Sequence, residues 1–159
     1  MEIHFCATAC IVDKKEKKIL FILHKKMNKW LFVGGHIEEN EDPEMAVYRE
    51  VKEETNLDIT LLGDRYPRKE DYIRPFALQR NVINENHIHI DIFYVALANN
   101  PDQIKAKPDE VLCYKWFSRD EIINNDFDTF PEKKQMAIDA LNFIDNLFWL
   151  KKILSIKGI

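Results

Sequence analysis

The sequence has no apolar run approaching the roughly 18 residues needed to cross a bilayer, which argues against a helical integral membrane protein. Its first fifteen residues, MEIHFCATACIVDKK, lack the basic start and long apolar core of a secretory signal. Cysteine is scarce and odd in number: Cys6, Cys10 and Cys113 cannot all pair within one chain, and their spacing matches no usual zinc pattern. These absences set the expectation of a cytoplasmic chain whose thiols are reduced and buried. Positive charge is not in excess either, since 23 Lys and Arg against 27 Asp and Glu give a net charge of -4. That balance argues against non-specific nucleic-acid binding, which needs a basic surface to neutralise phosphates. An anionic substrate must then be met by local cations or by a metal. No linker, repeat or low-complexity run divides the 159 residues, and a hydrophobic fraction of 46% suits a single domain over 1–159.

What the chain does have is concentrated between Gly35 and Leu57, GHIEENEDPEMAVYREVKEETNL. Asp42 followed by Pro43 predicts a helix start, with Asp42 capping the first turn and Pro43 placed where a missing N–H costs nothing. At about 100° per residue, Glu50, Glu53 and Glu54 fall within an arc of roughly 100° and share one face. Ala46, Val47 and Val51 border that arc, whereas Tyr48 and Lys52 point away, so the carboxylates lie beside the stripe that faces the domain. Like charges at these spacings repel, and partial burial adds to the cost. A hard divalent cation, Mg²⁺ or Mn²⁺, offsets both terms. For an E-x-x-E-E taken alone, an acidic solvated face balanced by Arg49 and Lys52 is the competing explanation.

The wider spacing resembles the Nudix box, G-x5-E-x7-R-E-U-x-E-E-x-G-U. Gly35, Glu41, Arg49, Glu50, Val51, Glu53, Glu54 and Leu57 stand at its specified places. Asn56 replaces the last glycine, and asparagine is the next best residue for a left-handed helix end. The resemblance implies an α/β (α+β) fold, a Nudix-like α/β/α sandwich with a mixed β-sheet, and a Mg²⁺- or Mn²⁺-dependent hydrolase. It implies Glu50, Glu53 and Glu54 as metal ligands, the Gly35 carbonyl as a further ligand, and Arg49 as the group that orients the carboxylates. Glu41 is expected to pair with Arg49 or to assist the metal, against the alternative of an exposed loop acid. A fourth carboxylate is commonly supplied from a downstream loop, and in KPDEVLCYKWFSRDEI the choice is Glu110, with Asp109 behind it. The alternative there is an exposed acid at a strand entrance.

Strands are predicted at Phe5 to Val12, Lys18 to His24, Trp30 to Val33, Ile59 to Leu62, Tyr72 to Val82, His87 to Leu97 and Val111 to Phe117. Helices are predicted from about Pro43 to Thr55, from a capping box at Ser118 and Glu121, and from Thr129 with Glu132 to about Leu154. Gly34 and Gly35 after a strand read as a turn, unless the second approaches a metal. His87, His89 and Asp91 alternate with isoleucines, which suits either a polar outer face or a row of metal or phosphate contacts. Lys25, Arg74, Trp30 and Phe76, with Lys26, Lys29, Tyr72 and Arg80, are equally readable as substrate contacts or as surface and core. The basic, amphipathic end NLFWLKKILSIKGI is read as a helix packed on its own domain or across a dimer rather than on a membrane.

Three functions follow. The first is a pyrophosphohydrolase acting on a small nucleotide-type diphosphate such as a nucleoside triphosphate, ADP-ribose or a nucleotide sugar, as a monomer or homodimer. Water attacks phosphorus, and Glu53 ranks first as general base ahead of Glu54 and Glu110. The second is a nucleotide sensor that does not hydrolyse. The third, an isoprenoid diphosphate isomerase, needs a catalytic cysteine and glutamate pattern that the sequence does not contain.

Overall fold

A computed structural model describes residues 1–65, 68 and 70–156, with side chains up to Trp149. The order of elements is β1 (Glu2–Asp13), β2 (Lys18–His24), β3 (Lys29–Leu31), β4 (Val33–His36), α1 (Pro43–Thr55), β5 (Ile59–Leu62), β6 (Ala77–Asn84), β7 (His87–Ala98), a 3-10 turn (Pro101–Gln103), β8 (Val111–Ser118), α2 (Arg119–Asn124) and α3 (Pro131–Ile156). β1 and β7 run parallel in register from Glu2 beside His87 to Val12 beside Leu97. The other pairings are antiparallel, so the eight-stranded sheet is mixed. From Cys6 to Asp13 every residue of β1 is buried, as a strand covered on both faces requires.

Alternation along the strands divides the core into two layers. Ala7, Ala9, Ile11, Leu20, Ile22, Val33, Tyr94 and Ala96 pack against Ala46, Val47 and Val51 of α1. On the other face Cys10, Val12, Ile19, Phe21, Phe93 and Val95 meet Ala137, Ala140, Leu141 and Ile144 of α3 and Ile122 of α2. The result is the expected α/β/α sandwich. Among the described residues no helix is long and apolar enough to cross a membrane.

Several expectations are corrected. The Trp30 to Val33 strand is broken at Phe32 into β3 and β4. Gly34 and Gly35 are not a turn: they pair with Thr8 and Ala7 inside β4. β6 starts at Ala77 rather than Tyr72, because Pro75 has no N–H to give a ladder; only Ile73 before it bridges, to Arg65. Thr129 does not cap α3; its hydroxyl donates to the Trp30 carbonyl and the helix begins at Pro131. Cys113 is exposed, because Leu112 to Lys115 of β8 are all left uncovered, while Cys6 and Cys10 are buried. The side chains of 150–159 lie outside the described residues, and with them most of the basic C-terminal segment.

The ends of α1 follow the sequence closely. Asp42 accepts from the Met45 amide at 2.8 Å, and Asn56 sits in the left-handed region at φ 58° with its amide on the Lys52 carbonyl. Ser118 and Glu121 form the complete capping box of α2. Asn56→Ala is expected to lower stability by roughly 1 kcal/mol, because a Cβ without a local hydrogen-bonding group is strained there, and Asn56→Gly by no more than a few tenths. Urea denaturation checks this, and an alanine variant as stable as wild type would contradict it.

Candidate active site

The three helix carboxylates are graded by burial. Glu54 is 2% exposed, the Glu50 side chain 13% and the Glu53 side chain 47%. The gradient follows from the helix arc, since Glu54 and Glu50 flank the apolar stripe and Glu53 stands at its outer edge. β4 makes room for them. A Cβ on Gly35 would collide with the Glu50 carboxylate, and a Cβ on Gly34 with the Ala7 carbonyl and Thr8 Cα. One glycine therefore seats the carboxylate and the other seats the strand on β1.

Arg49 binds the group together. Its Nε donates to Glu41 Oε1 at 2.7 Å and its Nη2 to Glu41 Oε2 at 2.9 Å, a bidentate pair. Nη1 donates to Glu50 Oε1 at 2.7 Å and lies 3.5 Å from Glu53 Oε2. Nη2 also reaches the His36 carbonyl at 3.0 Å. Glu41 is thus no free loop acid: the Arg49 guanidinium, helped by the Glu38 amide, pulls its carboxyl down to about 2. Arg49 in turn is held charged, its pKa raised chiefly by Glu41.

Burial acts in the opposite direction on the inner carboxylates. Glu50 is raised by desolvation, which outweighs the hydrogen bond from Arg49. Glu54 is pushed up to about 8, first by desolvation and then by the charge of Glu50. The Gly34 amide donates to it at 3.2 Å, but among the described residues no cation comes within ion-pair distance. A buried acid with oxygen donors beside it and no counter-ion is chemically fitted to a hard divalent cation.

Glu110 is brought alongside by a segment that continues the end of α1. The Lys105 and Lys107 amides donate to the carbonyls of Thr55 and Glu54, and the Lys25 amide donates to the Glu110 carbonyl. The Glu110 side chain is 43% exposed and pairs with Lys107 at 2.8 Å, and its charge raises both Glu50 and Glu54. Lys25 is exposed beside it.

Other expected contacts are elsewhere. Trp30 packs edge-on against Phe117 at 5.5 Å, and Phe76 against Phe143 of α3 at 5.7 Å, both on the sheet face away from α1. The structure therefore does not gather them around the carboxylates. Arg74 is exposed and follows Ile73, whose amide is tied to Glu44 in the first turn of α1, about 15 Å of helix from Glu54. His87 and His89 also lie on the α3 side. Asp91 of that row is not on a solvated outer face but buried, accepting from the Thr8 hydroxyl at 2.7 Å. His4, His36 and Cys6, which no sequence motif marks, stand beside these histidines. Only His36, next to the box glycine, carried any local signal.

The sequence matches the NUDIX domain description over residues 3–140. A crystal structure of a NUDIX-family hydrolase from Clostridium perfringens is 32% identical, with a TM-score of 0.77 over 91% of this chain and 99% of that one. The chain belongs to the Nudix hydrolase family. Two curated relatives match over shorter stretches. An 8-oxo-dGTP diphosphatase of Proteus vulgaris is 52% identical over 59 residues, 34% of this chain and 51% of that protein. An RNA pyrophosphohydrolase of Hydrogenovibrio crunogenus (strain DSM 25203 / XCL-2) is 39% identical over 56 residues, 33% of this chain and 34% of the other. The chain thus aligns with between a third and a half of the length of these two.

The Nudix glutamates make the metal-free protein sensitive to pH. Glu54 titrates near 8 in the fold against an ordinary value of 4.5, so the folded state holds a proton that the unfolded chain has released. Its contribution to stability is complete below about pH 4.5 and is lost as pH rises through about 8, at up to about 1.4 kcal/mol per pH unit. In chelator, Tm is expected to fall between pH 5 and 8 more steeply for wild type than for Glu54→Gln, and saturating Mg²⁺ to flatten the wild-type curve. Equal slopes in the two proteins would contradict this.

Proposed function

We propose that this chain is a Mg²⁺- or Mn²⁺-dependent pyrophosphohydrolase that cleaves the diphosphate linkage of a nucleoside diphosphate joined to another group. The substrate class comprises nucleoside triphosphates, ADP-ribose and nucleotide sugars. The observation that carries the reading is Glu54, a buried carboxylate without an ion pair among the described residues, set beside Glu50 and Glu53. The names of the curated relatives, a diphosphatase and a pyrophosphohydrolase, support hydrolysis of a phosphoanhydride rather than isomerisation.

Glu50 and Glu54 would hold a divalent cation from the buried side, with the Gly35 carbonyl as the neutral donor of that wall, and such an ion would supply positive charge to the diphosphate and to the departing phosphate. Arg49 favours the ionised form of Glu50 against its burial and fixes its rotamer, and Glu41 fixes Arg49. Glu53, the most exposed of the three, takes a proton from water as the water oxygen bonds to phosphorus. The bond from that phosphorus to the bridging oxygen breaks, and the leaving phosphate keeps the electron pair. Glu110 is the second choice of base, and Lys107 and Lys25 beside it supply positive charge to the phosphates.

A phosphate-release assay over a nucleotide panel with Mg²⁺ or Mn²⁺ tests the proposal. Turnover of at least one member is expected, with kcat lowered about 10²- to 10⁴-fold in Glu53→Gln and KM little changed. Nucleotides that raise Tm without any turnover would instead support a sensor, and absence of turnover on every substrate would sink the enzyme reading.

A further inference from the structure

Four histidines converge on the α3-side surface of the sheet from strands far apart in sequence: His4 from β1, His36 from β4, and His87 and His89 from β7. The parallel register sets His4 beside His89, and the antiparallel register sets Cys6 beside His36. His4 and Cys6 share a face of β1, as His87 and His89 do on β7, so all five side chains meet.

Their donor atoms are spaced like ligands. His4 Nδ1 lies 3.2 Å from His87 Nε2, and His36 Nε2 lies 3.2 Å from His89 Nε2. Nitrogen ligands about 2.05 Å from a tetrahedral zinc ion stand about 3.3 Å from one another. The ligand atoms of His4, His87 and His89 all fall within 4.8 Å, as do those of Cys6, His36 and His89, so His89 belongs to both triads. His4 has a further feature of a ligand: its other nitrogen, Nε2, is 2.9 Å from Glu2 Oε1. A carboxylate on the far nitrogen fixes the tautomer and leaves Nδ1 as a lone pair facing the cluster. The histidines are partly exposed at the end of the sheet, which leaves an ion a way in.

We propose that His4, His87 and His89 bind one borderline divalent ion of the Zn²⁺ class, with His36 alongside, at a site separate from the carboxylates of α1. Imidazole donors suit Zn²⁺, Co²⁺, Ni²⁺ and Cu²⁺, whereas Mg²⁺ and Mn²⁺ prefer oxygen, so the two sites select different metals. They stand back to back across β4: Gly35 faces the Glu50 carboxylate, and His36, the next residue, faces His89. An ion there links the N-terminal part of β1 to the start of β7. These partly exposed imidazoles crowd one another, and His36 and His89 are both held below the usual histidine range, first by partial desolvation and then by their neighbours.

Co²⁺ titrated into the full chain in excess Mg²⁺ tests the site by its visible absorption. One tightly bound equivalent is expected, with a tetrahedral band, without a thiolate charge-transfer band, and displaced by Zn²⁺. Affinity should fall at least about 100-fold in His89→Gln and about tenfold in Glu2→Gln, and be unchanged in Glu53→Gln. His87→Gln carries the same reading as His89→Gln should the latter fail to fold in chelator. No tight equivalent in wild type, loss of it in Glu53→Gln, or its survival in both histidine variants overturns the proposal. A strong thiolate band moves the ion to Cys6, His36 and His89 and overturns the ligand set. None of these outcomes depends on hydrolysis, so a failure of the hydrolase reading remains distinguishable.

Discussion

A carboxylate that is 2% exposed and has no cation within ion-pair distance among the described residues constrains everything placed around it. Glu54 cannot ionise cheaply in that position, and its carboxyl is pushed up to about 8 by burial and by Glu50. Either a proton or a metal must neutralise it near pH 7. The neighbouring groups are arranged for that exchange: the Gly34 amide points at its oxygen, and Glu50 is seated in the gap left by the missing side chain of Gly35.

Fold and site meet at three joints. Gly34 lets β4 lie flat against β1, which fixes where Gly35 and Glu50 meet. Arg49 ties the helix to the loop before it through Glu41 and the His36 carbonyl, so helix and loop hold one geometry. The amides of Lys105 and Lys107 take the last carbonyls of α1 and so bring Glu110 to the exposed end of the carboxylate row. The Arg49 joint is bidentate to Glu41, which leaves the guanidinium little rotational freedom.

What was legible in the sequence was local. Asp42, Pro43 and Asn56 gave both ends of α1, and the 3.6-residue period put Glu50, Glu53 and Glu54 on one face. Ser118 and Glu121 likewise gave the start of α2. The parallel pairing of β1 with β7 spans more than eighty residues of chain, and no local signal announces it. The histidine cluster depends on that pairing and stayed hidden with it. Trp30 and Phe76 were readable by type as substrate contacts or as core, but which sheet face a side chain takes is decided by register, and both fell on the α3 side. Alternation with isoleucine left Asp91 open to a polar outer face or a contact row, whereas the structure buries it, with the Thr8 hydroxyl donating to it and the charge of Lys133 on α3 favouring its ionised form.

Glu54 should exchange a proton for a metal, and calorimetric titration of Mg²⁺ at pH 7 in buffers of different ionisation enthalpy measures that exchange directly. With a carboxyl near 8, binding should release close to one proton per ion in wild type and markedly less in Glu54→Gln. Proton release near zero in wild type, or release unchanged in the variant, would contradict it.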